Sequence, residues 1–111
     1  MVVAGTASLS PPITRSLVKF GHDLDIARKK RRLTVAALCQ RAGISVPLYR
    51  RMVQGAAGTS IGAYAMVLFA LGFGTPFDSV VDVARDDTGL LLDIDRLPQR
   101  VRPPRNKSDA L

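Results

Sequence analysis

The sequence predicts an all-α chain, a five-helix bundle, and three observations carry that expectation. Apolar residues recur at the helical period through most of residues 13 to 85. Threonine, serine and glycine punctuate the pattern where helices start and stop. Strict apolar and polar alternation is confined to a short stretch after residue 88. With 111 residues, 47% of them hydrophobic and 23% charged, the chain suits one small core rather than a disordered polymer.

The opening "MVVAGTASLSPP" has small side chains, two prolines and no period, so residues 1–12 read as a flexible arm. Order is expected from Ile13. Ile13, Leu17, Phe20, Leu24 and Ala27 form one stripe, with Arg15, Lys19, His22 and Asp23 off it, which makes a first amphipathic helix. It runs into "RKKRR", Arg28 to Arg32. A basic helix end is favoured by the helix dipole, but five consecutive cations exceed that need and also suit a phosphate-facing role.

Thr34 can cap a second helix, whose Leu38 and Ala42 face inward and whose end is marked by Gly43. Ser45 caps a third, and Pro47 is tolerated in its first turn, where an N–H has no partner in the helix. The third helix spans about Ser45 to Gln54. Tyr49 and Met52 share its inner side, so Val46, Pro47, Arg50 and Arg51 belong to the other. Ser60 caps a fourth helix with Ile61, Tyr64, Leu68 and Leu71 on one stripe and Gly72 at its end. A fifth, from Phe77 to Arg85, would present Phe77, Val80, Val81 and Ala84 to the bundle. Leu24, Leu38, Tyr49, Met52, Leu68 and Leu71 are the expected core. Residues 13–85 thus form the domain, and 86–111 a C-terminal segment. In that segment Leu92, Ile94 and Leu97 alternate with polar residues and permit a short strand, followed by the basic, proline-rich "PQRVRPPRNKSDAL".

Sixteen Lys and Arg against nine acidic residues, all aspartate, give a net charge of +7 and favour a polyanion or an acidic protein surface as partner. A single Cys39 forms no internal disulfide, and no leader pattern is present, so the cytoplasm is the expected compartment. The uncharged stretch between Arg51 and Asp78 is broken by Gly55, Gly58, Gly62, Gly72, Gly74 and Pro76. Its apolar centre of about ten residues is half of what a membrane span needs. One Cys and one His cannot supply the roughly four ligands of a structural metal site, so no cofactor or metal is expected. The pairs Asp86 with Asp87 and Asp93 with Asp95 have neither a nucleophile nor a glycine-rich phosphate loop beside them, and no enzyme is expected.

Two short helices joined by a glycine-containing turn suit a helix-turn-helix, whose second helix enters the DNA major groove. From Leu33 to Gly55 the chain resembles the phage-repressor or XRE family. "LT" opens the second helix, "AL" lies inside it, "RAGIS" is the turn, and "LYRRM" and a closing glycine make the recognition helix. The continuation "GTSIGAYAMVLFALGFG" and the later "DDTGLLLDIDRLPQRVRPPR" resemble the HipB-like antitoxins. The resemblance implies a λ-repressor-like fold and a homodimer that binds double-stranded operator DNA, represses its own operon and docks a HipA-type kinase toxin. A C-terminal strand could pair across that dimer.

Departures from the family pattern thin the direct readout. Val35 stands where repressors often carry a phosphate-bonding glutamine, and Val46 and Pro47 stand at two base-reading positions. Val53 replaces a glutamate that pairs with a first-helix arginine in many relatives, which would leave Arg28 unpartnered and free for phosphate. The expected DNA-binding residues are Thr34, Ser45, Val46, Pro47, Arg50 and Arg51, with Arg28 and Lys30 on the backbone. Val46 suits a thymine methyl and either arginine suits guanine O6 and N7. The competing interpretation keeps the fold as a protein-interaction module and reads Arg50 and Arg51 as a solvated helix face.

Overall fold

The computed structural model describes residues 9–92 and 96–104. Four α-helices follow one another: α1 Pro11–Lys30, α2 Val35–Ala42, α3 Val46–Val53 and α4 Ile61–Ala70. They lie in a first compact unit that closes at Val80, and a second unit begins at Val81. Among the described residues no strand is present, and no helix is long and apolar enough to cross a membrane.

Local chemistry sets the helix boundaries. Thr34 Oγ1 accepts from Ala37 N at 3.0 Å, Ser45 Oγ from Leu48 N at 3.2 Å and Ser60 Oγ from Ala63 N at 3.2 Å. Each hydroxyl satisfies an amide that the first turn leaves without a carbonyl. All four helices end in the same paired hydrogen-bond motif, which requires a left-handed residue. Glycine supplies it after α2, α3 and α4, whereas α1 uses Arg32 at φ 57°. There Arg32 N donates to Lys29 O and Leu33 N to Arg28 O.

The core is a single apolar cluster centred on Leu38, Tyr49, Met52 and Val67, all essentially solvent-free, with Leu24, Ala27, Cys39, Ala42, Tyr64, Leu68 and Leu71 around them. All six residues expected in the core are there. Helix α2 packs mainly on α4 and also on α3, while α1 packs across α3. The last contact depends on Gly21, because a β-carbon there would overlap the carbonyl oxygens of Met52 and Val53. At the far end Arg31 Nε donates to Leu71 O at 2.6 Å and the guanidinium lies 4.9 Å over the Phe73 ring, tying α1 to the end of α4.

Several expectations are corrected. Helix α1 begins at Pro11, two residues earlier than expected, because Pro11 and Pro12 occupy a first turn that asks nothing of their missing N–H groups. Residues 1–8 of the expected arm lie outside the described residues. Ile13 and Ile61 are exposed, since each sits in a first turn that overhangs the core.

No fifth α-helix forms from Phe77 to Arg85; two 3-10 turns, Pro76–Ser79 and Val83–Arg85, take its place. The run is short, its middle Val80 and Val81 are β-branched, and Asp82 Oδ1 accepts from Ala84 N at 2.8 Å, a local bond that competes with helix continuation. Phe77, Val80, Val81 and Ala84 are accordingly exposed rather than packed inward. In the second unit Gly89–Leu91 is another 3-10 turn, where Asp86 Oδ1 accepts from Gly89 N at 3.0 Å. This replaces the start of the expected strand. Leu92 is extended but exposed, Leu97 is exposed, and Ile94, with Asp93 and Asp95, lies outside the described residues.

Candidate nucleic-acid interface

Helix α3 is anchored from behind and open in front. Its inner side chains, Tyr49 and Met52, are 1% and 0% exposed, while Pro47, Arg50 and Arg51 on the other side are exposed. Val46 is half-buried and packs against the core, so only part of it remains available to a ligand. Ser45 is exposed at the start of α3 and Thr34 at the start of α2, each with its hydroxyl oxygen accepting a capping bond and its hydroxyl proton still able to donate.

A polar node fixes α3 to α1. The Tyr49 hydroxyl donates to Asp25 Oδ1 at 2.9 Å, and Arg28 brings both Nε and Nη2 to the same oxygen at 3.0 Å. Arg28 Nη1 donates to the carbonyl oxygen of Leu33, just ahead of the α2 cap, at 2.7 Å. Lys29 Nζ reaches Asp25 Oδ2 at 3.2 Å. One carboxylate therefore joins α1, the chain leading into α2, and α3.

The node polarises its members. Burial pushes the Tyr49 phenol up, and its hydrogen bond to Asp25 adds to that, raising it to about 12. Burial alone would raise the Asp25 carboxyl too, but hydrogen bonds from Tyr49, Arg28 and Lys29, together with the Arg28 charge, hold it below its ordinary value. Cys39 is a buried thiol whose pKa burial raises.

Beside the node lies an open cleft of about 240 Å³, lined by Asp25, Arg28 and Lys29 of α1, Val35 of α2, and Arg50 and Gln54 at the end of α3. Three cations face one carboxylate there, so the opening favours an anion. Among the described residues no three His, Cys or Asp side chains converge in a way that could hold a metal ion.

The expected arginine arrangement needs one correction. Arg28 is not unpartnered: its side chain is only 13% exposed, and Asp25, three residues earlier on the same helix, supplies the carboxylate that Val53 does not. The basic run divides in the same way. Arg28 and Arg31 are engaged inside the fold, Lys29 is tethered, and Lys30 and Arg32 are exposed. The structure thus brings Arg50 and Arg28 to one cleft, and leaves Arg51, Lys30, Thr34, Ser45 and Pro47 on exposed surface outside it.

Sequence reasoning missed Asp25 and Gln54, and had Lys29 only as one member of the basic run Arg28 to Arg32. The spacing of Asp25 to Arg28 and Lys29, three and four residues on one helix, was a usable signal for Asp25 and Lys29. Comparison of the chain with protein-family models, with curated proteins and with solved structures finds no match in any of the three.

Proposed function

We propose that this chain is a sequence-specific binder of double-stranded DNA, in which α2, the turn through Gly43 and Ser45, and α3 act as a helix-turn-helix. The observation that carries the reading is α3 itself. It is a short helix held rigidly by Tyr49 and Met52, with Arg50 and Arg51 exposed on its outer side. Neither arginine contributes to the core, and both have the bidentate geometry that guanine or phosphate takes. The net charge of +7 and the exposed Lys30 and Arg32 supply the sequence-independent part of the attraction.

Because Val46 and Pro47 offer no side-chain donor, specificity rests on the arginines and on DNA shape. The likeness of "GTSIGAYAMVLFALGFG" and of the later "DDTGLLLDIDRLPQRVRPPR" to HipB-like antitoxins supports a repressor of its own operon as the biological role, with a HipA-type kinase as partner. Exposed Met66 and Phe69, an apolar row three residues apart on α4, support self-association as a homodimer, since such side chains are usually covered. The same row also favours a second reading, a protein-interaction module that retains the fold and no longer reads an operator.

Selection of duplexes from a random library separates the two. The DNA reading expects enrichment of one motif, with two half-sites about one helical turn apart if the dimer binds. Its affinity should fall steeply as salt rises. Absence of enrichment, together with salt-independent or undetectable duplex binding, overturns it in favour of the interaction module.

A further inference from the structure

We propose that Asp25 is a specificity-determining residue of this interface, an internal counter-anion that keeps Arg28 and Lys29 from binding DNA phosphate indiscriminately. The inference rests on the duplex-DNA reading above. Both Asp25 oxygens are occupied: Oδ1 accepts from Tyr49 and Arg28, and Oδ2 faces Lys29 Nζ at 3.2 Å. The carboxylate is 19% exposed and lines the same cleft as Arg28, Lys29 and Arg50, so its charge acts where an incoming phosphate would sit. Lys29 is 67% exposed and would otherwise be a mobile, fully charged phosphate ligand.

Nonspecific affinity grows with the number of phosphates a protein neutralises, whichever sequence they belong to. A fixed carboxylate that holds two of the nearby cations lowers that sequence-blind part. The same carboxylate holds Tyr49, and with it the register of α3, on which base contacts depend. Asp25 therefore subtracts from general attraction while preserving the geometry that discriminates.

The test is Asp25→Asn, which keeps the shape and a carbonyl acceptor for Tyr49 while removing the charge. Full-length wild type and variant are titrated with a random-sequence duplex and with a duplex selected by the wild type, over a range of salt. Release of one further counterion should steepen the salt slope by about one unit and tighten random-duplex binding by about eightfold near 0.1 M salt. The selected duplex should gain less, so the ratio of the two affinities falls. A variant whose random-duplex affinity and slope match the wild type, or that loses both affinities together with thermal stability, overturns the proposal and leaves the DNA reading standing. A wild type that binds no duplex overturns both. If Asp25→Asn does not fold, Lys29→Ala decides: a neutralised Lys29 predicts a slope change well under one unit, and a loss of a full unit contradicts the counter-anion role.

Discussion

The hydroxyl of Tyr49 on α3 donates to Oδ1 of Asp25 on α1 at 2.9 Å, joining residues 24 positions apart in the sequence. Through this bond the back of α3 is fastened to the helix that carries Arg28 and Lys29. Removing it by Tyr49→Phe leaves the ring in place but takes a donor from a charged acceptor, and should destabilise the fold by about 1.5 to 3 kcal/mol. Urea denaturation of the two proteins measures the difference. An unchanged midpoint would show that the bond contributes nothing.

The same pair gives the fold a limit at each end of the pH scale. Tyr49 titrates at about 12 in the fold, above its ordinary value near 10, so its contribution is complete below about pH 10 and is lost as pH rises toward 12. Asp25 is shifted down, so its contribution is present above about pH 4 and is lost as pH falls through the lowered value. Thermal melts across pH should therefore show an alkaline loss that Tyr49→Phe reduces. In the variant the acid loss should be smaller and complete at higher pH, because without the Tyr49 donor the Asp25 carboxyl is held less far below its ordinary value.

Arg32 occupies the left-handed position after α1 that glycine holds after the other three helices. A side chain there costs on the order of 1 kcal/mol, and Arg32→Gly should raise stability by up to about that amount. The corresponding rise in melting temperature is about 4 to 8 °C for a domain of this size. A lower melting temperature would mean that the Arg32 side chain makes contacts worth more than the strain.

Gly21 sets the approach of α1 to α3. Gly21→Ala would drive a methyl group into the carbonyl oxygens of Met52 and Val53, and backbone cannot yield as a side-chain tip can. A loss of about 1 to 3 kcal/mol is expected from such overpacking, with weakened duplex binding because the tilt of α3 changes. Equilibrium unfolding beside duplex titration checks both effects, and a silent substitution would refute the tight crossing.

The parts of the fold legible in the sequence are those governed by local chemistry and burial period. Thr34, Ser45 and Ser60 announced three helix starts, Gly43 and Gly72 two ends, and the inward spacing of Leu38, Tyr49, Met52 and Leu68 the core. What was hidden depended on long-range or competing local bonds. The i,i+3 spacing of Asp25 and Arg28 is legible in the sequence, but the hold on Asp25 by Tyr49 comes from another helix and is not. The apolar spacing from Phe77 to Arg85 mimicked a helix, but the Asp82 side chain and paired valines favour turns, and nothing in periodicity weighs that competition. Of the candidate site, the outward arginines of α3 were legible because Tyr49 and Met52 fix the opposite side. The cleft beside them was not.

The central claim is that the outer side of α3 reads DNA, and alanine substitution of Arg50 and Arg51 tests it most directly. Both side chains are exposed, so each variant should keep its thermal stability to within about 0.5 kcal/mol. Titrated with a duplex selected by the wild type and with a scrambled duplex at several salt concentrations, a guanine-reading arginine should lose roughly 1 to 3 kcal/mol of binding and relax preference at one base pair. Lys30→Ala, a backbone-contact control, should instead weaken both duplexes alike and flatten the salt slope by about one unit. If Arg50→Ala and Arg51→Ala both bind the selected duplex as the wild type does, α3 does not face the groove and the DNA-reading account is contradicted.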